Sequence, residues 1–325
     1  MSKKYSVDVI IPTYKLDNKF KQLMKRLLKQ TWVPNHIYII NTIPCKDVEQ
    51  LDEAQKEQEQ LFAKYDAIEQ VSVVHITESE FDHGGTRNFG ASLSDSDLAL
   101  FMTQDAIPQD EYLIENLVKA FDNPKVSAAY ARQLAQSNAG FIEQYTRRFN
   151  YPNESYVKSL KDLKELGIKT YFCSNVCAMY RKDIYVELGG FVTKTIFNED
   201  MIMAATMIDA GYSIAYVAEA KVIHSHHYTY LQQFTRNFDL AVSHVEYNEI
   251  FGRVKSEDEG IKLVKKTMDY LIKKKKYYLI PDLILQSGFK YLGYLAGSHY
   301  KKLPHDLVVK FSMNKKYWEK AEDIQ

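Results

Sequence analysis

The sequence predicts an α/β protein: a Rossmann-like, mostly parallel central sheet flanked by helices, with a helical extension at the C-terminus. Short β-branched runs at 7–11, 36–40 and 71–76 alternate with segments of helical spacing, and a strand–helix–strand order implies parallel pairing. Leu98–Met102 is apolar throughout, as a strand covered on both faces should be. Beyond about residue 255 the composition shifts to lysine-flanked apolar and aromatic stretches. We therefore place one large domain over residues 1–255 and a basic, amphipathic helical extension over 256–325.

The first strand, 7–11, runs into Pro12 and leaves sharply through Thr13 and Tyr14. Phe20, Leu23, Met24, Leu27 and Leu28 then recur at helical spacing as far as Gln30, and residues 32–34 stop that helix. After the second strand, residues 45–70 are rich in Glu, Gln and Lys, with a weak stripe at Leu51, Leu61 and Phe62, which suits a long half-exposed helix. The third strand leads into FDHGGTRN at 81–88. Its paired glycines read in two ways: a tight loop offering backbone N–H groups and the Arg87 guanidinium to an anion, or an ordinary turn and helix cap.

Leu98–Met102 delivers Asp105 just past its end, and ligands of open α/β sheets gather beyond the carboxyl ends of the strands. Asp105 is thus a candidate catalytic or metal-binding acid, with a turn aspartate before Pro108 as the plainer alternative. A helix over 109–121 and a strand over 126–131 follow. Residues 133–169, polar and aromatic with Arg147 beside Arg148, suit an excursion folding over the site. Residues 171–180 read as a strand carrying Ser174 and Asn175, and a short helix over 181–188 ends at Gly189 and Gly190. Glu199 and Asp200 open an apolar helix, where two acids suit the helix dipole as well as catalysis. After a strand at 213–217, His224, His226 and His227 fall within four positions.

Forty-two basic and 42 acidic residues cancel, so no global charge calls for a nucleic-acid partner. Cys45, Cys173 and Cys177 lack metal-site spacing and suit the reducing cytoplasm. No stretch approaches the ~20 apolar residues of a membrane span. Residues 262–276 hold seven lysines against Asp269, followed by an apolar, aromatic stretch. That pattern fits helices lying on an anionic membrane surface, or a helical hairpin packed on the main domain.

Moving a sugar from a nucleotide diphosphate requires the leaving diphosphate to be neutralised and the attacking hydroxyl to lose its proton. Asp105 with a histidine could hold a metal, and one of Glu199 and Asp200 could act as base. Oxygen-rich ligation with a single imidazole fits Mg²⁺ or Mn²⁺ better than zinc.

The ordered set VDVIIPTYK at 7–15, GGTRNFGAS at 84–92, FMTQDAIP at 101–108, SNVCAMYRKDIYVELGGF at 174–191, NEDMIMA at 198–204, AGY at 210–212 and HSHHYT at 224–229 resembles family 2 glycosyltransferases. Within that family it is similar to the bacterial rhamnosyltransferases of cell-wall, capsule and O-antigen synthesis. The resemblance implies a GT-A fold and an inverting single displacement. It also implies dTDP-L-rhamnose as donor and a lipid-linked saccharide acceptor at the cytoplasmic membrane face. It would put Pro12, Thr13 and Tyr14 on the nucleotide base, and Arg87 and Asn88 by the nucleotide and diphosphate. Asp105 would match the last acid of the family's Asp-x-Asp, with His224 or His226 near the metal. Asp200 would be the general base with Glu199 beside it, and Ser174 and Asn175 would lie where donor sugar and acceptor meet.

Two departures stand out. Thr103 replaces the first acid of the metal motif, leaving Thr103, Gln104 and Asp105. Asn41 and Thr42 end the second strand where paired aspartates usually hold the base; an asparagine both donates and accepts, which suits a thymine. A UDP-hexose donor, or a catalytically silent sugar-nucleotide-binding scaffold, are the competing expectations.

Overall fold

Valine and isoleucine fill the first strand because both of its faces are covered: in the computed structural model Val7, Val9 and Ile11 pack into one apolar layer and Ile10 into the other. Residues 5–44, 52–253 and 257–322 are described. Cys45, the start of the helix expected from there, and the boundary at residue 255 lie outside them.

The first half alternates β1 (Val7–Thr13), α1 (Asn18–Leu27), β2 (His36–Ile43), α2 (Glu53–Asp66), β3 (Val71–Thr77), α3 (His83–Ser92) and β4 (Leu98–Met102). Next come β5 (Ile107–Pro108), α4 (Leu113–Lys119), β6 (Val126–Leu134), α5 (Phe141–Asn150), β7 (Tyr156–Lys158), α6 (Leu163–Leu166), β8 (Cys177–Arg181), α7 (Lys182–Glu187), α8 (Glu199–Asp209) and β9 (Ser213–Ile223). Six helices follow: α9 (Tyr230–Glu246), α10 (Asn248–Phe251), α11 (Glu257–Lys273), α12 (Ile280–Ser298), α13 (His305–Phe311) and α14 (Lys315–Glu322).

The sheet runs β3-β2-β1-β4-β8-β6-β9-β5, with β7 paired to β9. Strands β1 to β4 are mutually parallel, as is β6 with β9, whereas β8 enters antiparallel between β4 and β6. Helix α1 follows its pattern closely: Asp17 caps it, and Phe20, Leu23, Met24 and Leu27 are its buried stripe.

Two local expectations are corrected. Residues 171–180 are not one strand; a 3₁₀ turn ends at Tyr171 and the ladder begins only at Cys177. The Cys177 N–H donates to the Ser174 carbonyl at 3.1 Å, so Ser174 and Asn175 sit in a turn that leads into β8. Nor do the paired glycines form an open anion loop. They lie in the first turn of α3, where the Asp82 carboxylate accepts the Gly85 N–H at 2.6 Å and already caps the helix. Gly84 is required because a Cβ there would stand 2.0 Å from the Val192 carbonyl oxygen.

The C-terminal helices pack on the main body. Along the α9–α12 contact a Cβ on Gly293 would lie 2.2 Å from the Phe234 carbonyl oxygen, and one on Gly297 2.3 Å from that of Phe238. No described helix is long and apolar enough to cross a membrane. Because overpacking a close contact costs about 1–3 kcal/mol, Gly293→Ala is expected to lower the urea midpoint of unfolding. An unchanged midpoint would show that α12 does not depend on this approach.

Candidate active site

The β4 strand end is turned back at once. The Ala106 N–H donates to the Thr103 carbonyl at 3.1 Å, and β5 then pairs Ile107 with Ile223 and Pro108 with Val222. That register sets Asp105, two residues before Ile107, against His224, the first residue past β9. The His224 N–H is anchored to the Leu134 carbonyl at 3.0 Å. Ligand atoms of Asp105, His224 and His226 lie within 4.8 Å of one another. His224 Nε2 is 3.5 Å and His226 Nε2 3.4 Å from the Asp105 oxygens, and the two Nε2 atoms are 2.9 Å apart.

The state of His224 follows from its other nitrogen. Gln133 Oε1 takes a hydrogen bond from Arg147 Nη1, which can only donate, so that atom is the amide oxygen. His224 Nδ1, 3.2 Å from the same oxygen, must then carry the proton, leaving Nε2 as a lone pair aimed at a carboxylate. Burial, opposed by the charge of Asp105, pushes the His224 imidazole down to about 3, and burial lowers His226 as well. Two neutral imidazoles and a carboxylate converging in this way fit a divalent cation. Both histidines face the Asp105 carboxylate, where the sequence suggested a single imidazole.

The acidic pair opens α8, where Asn198 adopts a left-handed φ of 67° and its side-chain amide donates to the Ser243 hydroxyl at 3.3 Å. Glu199 is buried against Arg87, 3.2 Å away. Burial opposes its charge, but Arg87 and then His83 outweigh that cost and hold its pKa below the ordinary value. Asp200 makes no ion pair with Arg87, whose charge only partly offsets the rise; burial first and the Glu199 charge second push it up to about 7. Its Oδ2 accepts the Asn175 N–H at 3.0 Å. One carboxylate is therefore fixed as an anion, and its neighbour titrates near neutrality.

These groups share a cavity of about 910 Å³ whose wall includes Arg87, Ser174, Asp200, His226, Arg236 and Lys290. Thr103 and Asn175 also line it, and the Thr103 hydroxyl is buried without a hydrogen-bond partner. Ser174 Oγ accepts from Gln133 Nε2 at 3.0 Å. Pro12, Thr13, Tyr14, Asn41 and Gln104 instead form a shelf at the carboxyl ends of β1 and β2. There Thr13 Oγ1 donates to Asn41 Oδ1 at 3.2 Å, and the Gln104 amide clamps the Tyr14 backbone, accepting its N–H at 2.7 Å and donating to its carbonyl at 3.1 Å. Asn88 is turned away from the cavity: it bonds both the N–H and the carbonyl of Phe191, and also the Tyr185 hydroxyl.

Sequence reasoning missed Gln133, Arg236 and Lys290 as cavity residues. Only Arg147 had a visible signal, in its pairing with Arg148.

An acid at a strand end facing histidines past the last long strand, with an acidic pair opening a helix across the cavity, defines a glycosyltransferase of GT-A architecture. The chain belongs to glycosyl transferase family 2, whose family profile matches residues 8–189. It is 38% identical over 320 residues to the O-antigen chain rhamnosyltransferase RfbN of Salmonella typhimurium, covering 97% of each chain. Identity to the O-antigen chain rhamnosyltransferase WbaN of Salmonella anatum is also 38%, over 98% of this chain and 97% of that one. Among solved structures, the mannosyltransferase PcManGT from Pyrobaculum calidifontis, in complex with GDP-Man and Mn²⁺, has the same fold. Its TM-score is 0.60 at 12% identity, with 92% of this chain and 89% of that one covered.

The elevated Asp200 pKa has a cost in stability. An unfolded aspartate titrates near ~3.9, so between about 4 and 7 the folded chain holds a proton that the unfolded chain has lost, and stability falls as pH rises through that window. Asp200→Asn should therefore melt higher than wild type at pH 8, with the difference closing by about pH 4. Equal melting temperatures at pH 8 would refute the strained-carboxylate assignment.

Proposed function

We propose that this glycosyltransferase moves L-rhamnose from dTDP-L-rhamnose to a lipid-linked saccharide, in building a bacterial surface polysaccharide from the cytoplasmic side of the membrane. The observation carrying the chemistry is that Asp200, raised to about 7, shares a cavity with His224 and His226 of the Asp105 cluster. The choice of sugar rests on the two rhamnosyltransferase relatives.

In this reading Asp200 takes the proton of the attacking acceptor hydroxyl, its carboxylate oriented by the Asn175 N–H on Oδ2 and the Met201 N–H on Oδ1, each oxygen keeping a second lone pair. Glu199 stays ionised against Arg87 and keeps the Asp200 carboxylate basic. Ser174 marks the approach of donor sugar and acceptor, held there by Gln133. The shelf of Pro12, Thr13, Tyr14 and Asn41 takes the nucleotide base. Gln104 keeps that shelf in register with Asp105, and Thr103 lines the donor side. Asn88 acts by holding the turn at Phe191, not by touching the donor.

Asp105, His224 and His226 would hold Mn²⁺ or Mg²⁺, and two imidazoles favour Mn²⁺. A divalent cation bound there supplies charge neutralisation to the leaving diphosphate. Residues 1–255 carry these groups, and residues 256–325 complete the cavity wall through Asp282, Gln286 and Lys290 of α12.

Product analysis with dTDP-rhamnose and a panel of lipid-linked saccharides should give a rhamnosylated product. Turnover of UDP-sugars with no response to dTDP-rhamnose would replace the donor. Asp200→Asn should lower kcat by about 10²–10⁴ while donor binding persists, and wild-type kcat should decline below about pH 7. Separately, His224→Ala should weaken Mn²⁺ binding measured calorimetrically by about tenfold or more, without reference to turnover. Binding equal to wild type would remove the histidines from the metal site.

A further inference from the structure

Helix α12 presents two contrasting sides. Pro281, Ile284, Leu285, Gly288, Leu292 and Leu295 recur at helical spacing, and all are exposed. The four large side chains among them are 43% to 56% accessible, a continuous apolar stripe that nothing in the described chain covers. On the opposite side, the N-terminal half of the helix turns Asp282, Gln286 and Lys290 into the cavity, and the C-terminal half packs Gly293 and Gly297 against α9.

Charge is arranged around the same stripe. Lys273, Lys274 and Lys275 are exposed immediately before it, followed by exposed Tyr277 and Tyr278. Besides Lys290, which faces the cavity, residues 270–304 carry six lysines and a single acid, Asp282, which is taken inward by a 2.6 Å hydrogen bond from the Tyr230 hydroxyl. The outer surface is thus apolar, rimmed by tyrosine and lysine, and free of carboxylates along its length. The occupant must offer anionic groups at the rim and an apolar interior directly beside them. An anionic bilayer matches each part: acyl chains for the stripe, the interfacial zone for the tyrosines, and phosphate headgroups for the lysines.

We propose that the outer face of α12, with Lys273–Lys275 and Tyr277–Tyr278 at its leading end, is a membrane-docking surface for anionic lipid. The helix lies in the plane of the interface and does not span it. Because its inner side walls the cavity, docking brings that wall to within one helix diameter of the lipid, about 10 Å. The inference rests on the lipid-linked acceptor reading and names the surface that would meet the acceptor's membrane.

Sedimentation with vesicles tests it, using the full chain at about 0.15 M salt. Wild type should bind phosphatidylglycerol-containing vesicles at least tenfold more tightly than pure phosphatidylcholine vesicles. Leu285→Glu with Leu292→Glu should weaken that binding at least tenfold, and Gln at positions 273, 274 and 275 should remove the preference for anionic lipid. Turnover on a soluble saccharide acceptor should be unchanged in both variants, which also reports that they fold. Equal sedimentation of wild type and the glutamate variant would overturn the docking surface and leave the sugar-transfer reading intact. Vesicle binding as expected with no rhamnose transfer would support the surface and defeat the sugar assignment. A wild-type dimer in solution, dissolved by the glutamate pair, would assign the face to a second copy and overturn the lipid proposal.

Discussion

The meeting of Asp105 with the histidines depends on two residues of antiparallel pairing. Ile107 opposes Ile223 and Pro108 opposes Val222, and the Gln109 N–H extends the contact to the Lys221 carbonyl at 2.9 Å. A slip of one residue in this ladder would reverse which face each side chain meets, carrying Asp105 away from His224. The pairing is short, but the segments around it are held on the far side: β6 runs parallel to β9 from Val126 to Leu134, and the same Leu134 carbonyl anchors His224. Strand β6 then supplies Gln133, whose amide sets the tautomer of His224 on one side and bonds Ser174 on the other. One residue thereby links the Asp105–histidine cluster to the turn that carries Asn175, and through the Asn175 N–H to Asp200.

Across the cavity the controlling term is the unequal sharing of one cation. Two adjacent buried carboxylates cannot both ionise cheaply. Arg87 pairs with Glu199 at 3.2 Å and also donates to the His83 carbonyl at 2.8 Å, so it is committed to one acid. The neighbouring charge then works against Asp200, which becomes the stronger base of the two. This places Arg87 differently from the anion-binding loop that paired glycines suggested. Its guanidinium serves the acids, and the α3 N-terminus is closed by Asp82.

The legible part of the fold was its first half, because strands buried on both faces must be apolar throughout and α1 must show its stripe. Strand β8 was less visible: its apolar run continues backward through Tyr171 to Cys173, and only tertiary bonds, such as that from the Tyr180 hydroxyl to Asn175 Oδ1 at 2.9 Å, decide where the ladder starts. Asp105, His224, His226, Glu199 and Asp200 could be nominated from residue type and position along the chain. Gln133, Arg236 and Lys290 could not, since nothing local distinguishes a cavity residue from a surface one. Lys158 is the clearest case. In sequence it is one lysine among many, yet it is fully buried, with its ammonium on the Lys169 and Phe172 carbonyls and over the Tyr130 ring, and burial pushes it down to about 7. The carbonyls that compensate it lie 11 and 14 residues away, on a segment whose path only the folded chain defines.

The C-terminal helices also reach the histidine loop mechanically. Thr229 caps α9 through a reciprocal capping box with Gln232, fixing where the helix begins directly after His226 and His227. The next residue, Tyr230, donates to Asp282 on α12 at 2.6 Å and stacks on Phe289, with ring centroids 5.5 Å apart. Nearly two turns further along, Arg236 lies over the Tyr228 and Phe197 rings, the latter just before the acidic pair. Gly293 and Gly297 let the α9 and α12 backbones approach closely at Phe234 and Phe238, so the two helices pack as a pair from the first turns of α9. Helix α12 is thus joined through Tyr230 to the segment that follows His224 and His226. Truncating the extension would remove a brace from the Asp105–histidine cluster as well as a wall from the cavity.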